Sequence, residues 1–314
     1  MKIGVDAMGG DFAPLNVVKG AIETYPYLHE GTKIVLFGNE EQIIKVCAEN
    51  DFPANNFEIV NATEIIGMDD HPTKAFVQKS NSSMALGFDY LSNKKIDGFA
   101  SAGNTGAMMV GTMYTVKVIE GILRPCISSN FPLMNGKTAL FADVGINVDC
   151  KPDNLLQFAL LASIYAREVM GYENPRVALM NVGEEEEKGS LLTKAAYELL
   201  KSDGRFNFVG NIEGHEFYTG EKADVLICDG FTGNIVLKQA EAIYRISKKL
   251  NARNEFFDRF NYELYGGTPI LGANAPIVIG HGASTPAAIK SMILQTESVI
   301  KADLIDKIKR IFKN

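Results

Sequence analysis

Short β-branched runs alternate with longer stretches of helical periodicity along nearly the whole chain. The runs "KIGVDA", "TKIVLFG", "FEIVNA" and "IDGFASA" read as strands, and 14–25, 39–50 and 72–93 read as the helical stretches near them. "CISSNF" and "KTALFADVG" follow as consecutive strands, then a long helix over about 153–170. "RVALMNVG", "NFVGNI", "ADVLICDG" and "APIVIGHG" continue the strands, with helices near 188–202, 233–250 and 285–312. A parallel crossover needs a dozen or more residues, usually a helix, so this alternation predicts an α/β fold with a mostly parallel sheet and helices on both faces. With 314 residues and no Pro/Ser-rich linker, the chain suits one catalytic unit that can divide into two subdomains around a cleft. The approximate division is 1–100 with 275–314, and 101–274.

Glycine, asparagine and aspartate gather where these strands end. The turns are "DAMGGD" with Asp6, Gly9, Gly10 and Asp11; "SAGNTG"; "DVGINVD" with Asp143 and Asn147; "NVGEEEEKG" with Asn181; "DGFTGN" with Asp229; and "GHGAS". In open α/β sheets, ligands bind beyond the carboxyl ends of the strands. A single glycine turn is readily explained by packing, but six of this character point to one site. Within "SAGNTGA", short polar residues precede an apolar run from Met108 to Val118. The loop either turns a strand into a helix or holds an anion on bare backbone N–H groups.

Several chemistries are excluded or disfavoured by the residues. "GNTGAMMVG" is not the dinucleotide turn G-x-G-x-x-G. Gly136-Lys137-Thr138 looks like the end of a P-loop, but Phe131 stands where its first glycine is required. After Gly282 and Ser284, Pro286 replaces the last glycine of a nucleophile elbow. No His or Cys cluster suggests a metal, and no serine or cysteine stands out as a nucleophile. Four dispersed cysteines fit reduced thiols in a cytoplasm. The net charge of −7 disfavours a nucleic-acid partner. "MKIGVDAMGG" lacks a signal-peptide apolar core, and no apolar run reaches the ~18 residues of a membrane span.

Backbone donors, amides, carboxylates and isolated cations remain. Arg124 is either a cleft residue or a surface charge. Lys188 either reaches a bound anion or closes the solvated acidic first turn of a helix begun by Glu184–Glu187. His281 is either a turn imidazole or an acid–base group. Asp6, Asp11, Asp143 and Asp229 either cap and bond turns or line the site. These residues imply an enzyme that positions a phosphate-bearing reactant and leave the second reactant open.

The ordered set "VDAMGGD", "SAGNTGA", "DVGINVD", "NVGEEEEKG", "GNIEG", "DVLICDGFTGNIVLK", "YGGTPILGA" and "GHGAS" resembles the PlsX family of acyl-acyl-carrier-protein:phosphate acyltransferases, collinearly over nearly the whole chain. The resemblance implies a three-layer αβα fold like that of isopropylmalate dehydrogenases and phosphotransacetylases, and a homodimer. It also implies transfer of a fatty acyl group from acyl carrier protein to inorganic phosphate, giving acyl phosphate for phospholipid synthesis, without a cofactor. Ser101, Gly103, Asn104, Thr105 and Gly106 are then the expected phosphate cradle. Lys188, Asn234, Asp229 and His281 are the expected catalytic group. The competing readings are an NAD-dependent decarboxylating dehydrogenase on the same fold and a non-catalytic phosphometabolite-binding protein.

The link over 239–264 is shorter than the amphipathic insertion that such family members often carry near their dimer interface and associate with membranes. "RISKKLNAR" at 245–253, with Arg259, offers a basic surface for an acidic carrier protein. Ile300, Leu304, Ile308 and Ile311 share one face of a basic C-terminal helix, which suits packing on the domain or resting on anionic lipid. The expectation is a cytoplasmic homodimer whose contact with the inner face of the membrane is at most weak and peripheral.

Overall fold

The computed structural model describes residues 1–252 and 254–313. The chain forms two compact units, Met1–Ile119 with Tyr262–Ile305, and Glu120–Asn261 with Asp306–Asn314. Residues 101–119 thus belong with the N-terminal strands.

In the first unit the strands are β1 (Lys2–Asp6), β2 (Lys33–Gly38), β3 (Glu58–Asn61) and β4 (Gly98–Ser101). In the second they are β5 (Cys126–Pro132), β6 (Thr138–Ala142), β7 (Arg176–Met180), β8 (Asn207–Ile212) and β9 (Val225–Ile227). The first unit is completed by β10 (Gly267–Leu271) and β11 (Ile277–Gly280). Its order is β3-β2-β1-β4-β11-β10, parallel except for β10 against β11. The second unit runs β5-β6-β9-β7-β8, parallel except for the β5–β6 hairpin. Each sheet is mostly parallel with flanking helices, the αβα class expected. Parallel strands covered on both faces read as continuous apolar runs, and β1, β2 and β4 are buried almost throughout while the edge strand β3 is not.

Helix Leu15–Thr24 packs closely on helix Pro286–Lys301 in the first core, where a Cβ at Gly20 would stand 2.5 Å from Ile289 Cβ. Three expected helices have different limits. The stretch 72–93 divides into Pro72–Gln78 and Ser83–Ser92, because Ser82 caps the second helix on Ala85 N–H. The stretch 285–312 breaks at Ala302–Asp303, with Asp303 at φ +51, and resumes over Leu304–Phe312. The helix expected from 188 starts at Leu191 behind the Ser190 cap, so Glu184–Glu187 lie in a loop and form no first turn. β10 was not expected as a strand; Pro269 and its flanking glycines weaken the local strand signal, and pairing with β11 supplies the order.

Candidate active site

In the first unit, β1, β4 and β11 are adjacent and parallel, so their carboxyl-end loops lie side by side. Asp6, the last residue of β1, is buried. It accepts the Ser101 hydroxyl at 2.7 Å on Oδ2 and the Met8 N–H at 3.1 Å on Oδ1. Ser101 Oγ in turn accepts the Gly103 N–H at 3.0 Å. Burial pushes the Asp6 carboxyl up, against the pull of the Ser83 and Ser101 hydroxyls and the Met8 and Gly9 amides. Gly9 and Gly103 owe their missing side chains to this contact: a Cβ at Gly9 would sit 2.8 Å from Gly103 N, and one at Gly103 would sit 3.3 Å from Gly9 Cα. Gly10 turns the chain at φ +108, which lets the Asp11 N–H donate to Gly282 O at 2.8 Å.

Asn104 caps helix Thr105–Val110, which continues as a π-helix over Gly111–Val116. Its Oδ1 accepts the Ala107 N–H at 3.0 Å, while Nδ2 donates to the carbonyls of Gly67, Met68 and Asp70 at 3.0–3.2 Å. The Asn104 side chain is therefore spent on protein partners. Gly106 packs on Pro72, whose Cγ would lie 2.4 Å from an added Cβ. Among the described residues, the N–H groups of Thr105 and Gly106 and the Thr105 hydroxyl donate to no protein acceptor. His281 is exposed; its Nδ1 accepts the Ala283 N–H at 3.2 Å and its ring stands 5.2 Å from that of Tyr262. A neutral imidazole bonded this way carries its proton on Nε2.

In the second unit the adjacent strands β6, β9 and β7 end in the loops of Asp143, Asp229 and Asn181. Asp143 is fully buried and accepts the N–H groups of Ile127 at 3.1 Å and Asn147 at 2.7 Å, and the Asn147 amide at 2.8 Å. Burial raises its carboxyl above the usual range although these donors favour the anion. Gly230 and Gly233 allow the approach, since Cβ atoms there would meet Asp143 Oδ2 at 2.9 Å and Asp143 O at 1.8 Å. Asp229 caps helix Gly230–Lys249, accepting Thr232 N–H at 2.9 Å and its hydroxyl at 2.8 Å. Asn234 Nδ2 donates to Val144 O at 3.3 Å.

Arg124 donates to Asp149 O at 3.0 Å, next to the Asp143 loop. Asn181 closes the 181–189 loop by donating to Lys188 O at 3.1 Å and accepting the Val182 N–H at 2.9 Å. Glu184 pairs with Lys222 and Glu186 with Lys201, which leaves the exposed Lys188 ammonium without an acidic partner among the described residues.

Sequence-named residues thus form two groups: Asp6, Gly9, Gly10, Asp11, Ser101–Gly106 and His281 in one unit, and Arg124, Asp143, Asn147, Asn181, Lys188, Asp229 and Asn234 in the other. Sequence reasoning missed the 67–70 loop held by Asn104; its signal was the turn-rich "GMDDHP". It also missed the packing role of Gly230 and Gly233.

The thiols add a chemical constraint. Burial raises all four: Cys126 and Cys228 well above the ordinary range, Cys150 to about 11, and Cys47 to a lesser degree. A protonated thiol is a poor nucleophile, so none of them is primed for covalent catalysis at neutral pH.

A family model described as "Fatty acid synthesis protein" matches residues 1–307. The chain is 39% identical to a phosphate acyltransferase of Dictyoglomus thermophilum, over 98% of this chain and 96% of that protein. It is 41% identical to one of Endomicrobium trichonymphae, over 98% and 97%. In fold it is similar to a phosphotransacetylase from Streptococcus pyogenes, with a TM-score of 0.69, 17% identity, and 95% and 94% of the two chains covered. The chain therefore belongs to the fatty acid synthesis protein family, the PlsX family, and is an acyltransferase rather than a dehydrogenase or a non-catalytic binding protein.

Proposed function

We propose that the protein transfers a fatty acyl group from acyl carrier protein to inorganic phosphate and releases acyl phosphate for phospholipid synthesis. The observation that carries this reading is the set of unpaired donors at Thr105 N–H, Gly106 N–H and the Thr105 hydroxyl, next to the Ser101 hydroxyl, the Gly103 N–H and the Asn104 side chain, which are all held by protein partners. Phosphate held there attacks the thioester carbonyl. A C–O bond forms, the C–S bond breaks, and the carrier thiolate leaves and takes up a proton. Phosphate is itself an oxygen nucleophile, so no protein nucleophile is needed, in keeping with four raised thiols. In the second unit, Lys188 is a cation and Asn234 an amide donor, the kinds of group that suit developing oxyanion charge. Asp229 caps the helix that carries Asn234, and His281 orders its own turn in the first unit by accepting the Ala283 N–H. No cofactor enters this scheme.

The reading includes a cytoplasmic homodimer with at most weak membrane contact. Among the described residues, no helix is long and apolar enough to cross a membrane.

Incubation with palmitoyl-carrier-protein and phosphate, followed by hydroxylamine, tests the reaction. Phosphate-dependent palmitoyl hydroxamate is the expected product. Its absence, with the thioester intact, would overturn the assignment.

A further inference from the structure

We propose that Met68 is the residue that reads the acyl chain, an inference that rests on the acyltransferase reading above. The 67–70 loop is fixed by one side chain. Asn104 Nδ2 donates to the carbonyls of Gly67 at 3.2 Å, Met68 at 3.0 Å and Asp70 at 3.1 Å, while its Oδ1 caps the helix that begins at Thr105. The loop is tied a second time where Asp70 accepts the Gly67 N–H at 2.7 Å and the Lys79 ammonium at 2.5 Å. The Met68 backbone is therefore one hydrogen bond away from the residue that precedes the unpaired donors of Thr105 and Gly106.

The Met68 side chain is 42% exposed although it is large and apolar. Its methyl lies against the bare Cα of Gly282, where a Cβ would stand 2.8 Å from Met68 Cε and 3.4 Å from Asp11 Oδ1. Ile65, on the same segment, and Phe12, which follows Asp11, are 47% and 57% exposed. Met68 is thus an exposed apolar side chain on a loop bonded to the residue before the proposed anion donors, and the acyl chain of the reactant is an apolar occupant that suits it. With phosphate on the Thr105 and Gly106 amides, the carbonyl it attacks lies within bonding range of that phosphate, and the chain's first methylenes extend from there. Met68 is the nearest of the three apolar side chains by connectivity. Its unbranched thioether can follow chains of different length. Asn104 acts through it as a positioning residue.

The test reads the ratio of kcat/KM for palmitoyl- over butyryl-carrier-protein. Removing the Met68 thioether should lower this ratio about tenfold in Met68→Ala, the lower end of what a lost methylene contact costs in discrimination. Met68→Leu, which restores the apolar volume, should keep it within about twofold of the wild type. Gly282→Ala approaches the same contact from the other side, because its new methyl must push Met68 Cε away, and it should lower the ratio in the same direction. The glycine is not in the left-handed region, so that variant reports even if Met68→Ala folds poorly. An active wild type whose ratio is unchanged in both Met68→Ala and Gly282→Ala would overturn the assignment of Met68 alone. A wild type that forms acyl phosphate from neither thioester would overturn the acyltransferase reading and this inference with it.

Discussion

A methyl group at Gly9 would stand 2.6 Å from Asp6 Oδ2, 2.7 Å from Ser101 Oγ and 2.8 Å from the Gly103 backbone nitrogen. Because one of the three is main chain, the contact cannot be relieved by turning a side chain. Gly9→Ala should therefore destabilise the protein by about 2–3 kcal/mol, as overpacking does, seen as a lower urea midpoint at unchanged slope. An unshifted midpoint would show that the two loops separate freely.

Asp6 itself gives a pH signature. Its folded pKa is raised, chiefly by burial, so the stability it contributes is complete below the unfolded value and is lost as pH rises through the folded value. Asp6→Asn has no such loss. Comparing urea midpoints at pH 4.5 and pH 8, the variant should gain on the wild type at the higher pH, and a gap that widens against the variant would contradict the raised pKa. Lys188 is the residue-scale test of chemistry: Lys188→Ala should lower kcat on the order of 10²-fold if its ammonium stabilises the oxyanion. An unchanged rate would leave it a loop cation.

At the scale of elements, helix Leu304–Phe312 decides between the two uses of the C-terminal amphipathic face. Leu304 and Ile308 are buried, at 2% and 0% exposure, and Lys307 pairs with Glu168 at 2.5 Å. The middle of the apolar face is thus taken up by the protein itself and is not open to lipid. Ile308→Ala should cost about 2–4 kcal/mol, the range for emptying a buried aliphatic site, while leaving sedimentation with anionic liposomes as weak as before. A stability change below about 0.5 kcal/mol would fit an unpacked helix instead.

Elements of this kind were largely legible, because β1, β2, β4, β6, β7 and β11 are apolar runs bounded by turn residues and their crossovers have helical length. β10 and the breaks near Lys79 and Asp303 were not, since pairing partners, caps and a left-handed residue decide them. Each unit's candidate set was legible as positions: Asp6 and Ser101 in the first, and Asp143, Asn181 and Asp229 in the second, all stand at strand ends. It was not legible as contacts. Nothing local tells that Asn104 binds the carbonyls of 67–70, that Gly106 yields to Pro72, or that Gly230 and Gly233 make room for Asp143.

For the whole molecule, the proposed carrier-protein donor is acidic and the net charge of −7 repels it at long range, so docking in that reading has to be local. The basic stretch at 245–253 remains a surface for it only in part. Arg259 is taken up by the carbonyls of Leu133 and Lys137, at 2.8 and 2.5 Å, and by the Thr138 hydroxyl at 3.3 Å, and Arg253 lies outside the described residues. Arg245, Lys248 and Lys249 stay exposed near the end of helix Gly230–Lys249, with Lys248 4.7 Å from the centre of the Tyr244 ring. Contacts of this sort are screened by salt over about 8–10 Å, so KM for the carrier thioester should rise with ionic strength. Reversing the charge at both ends of the cluster, in Arg245→Glu with Lys249→Glu, should raise that KM about tenfold at low salt, a loss of about 1.4 kcal/mol. It should also flatten the salt dependence, because the attraction that salt weakens is gone. Phosphate reads the difference between docking and a general defect: a matching rise in KM for phosphate would mean that the substitutions disturb the fold. A carrier KM that keeps its full salt slope in the double variant would place the docking surface on other cations.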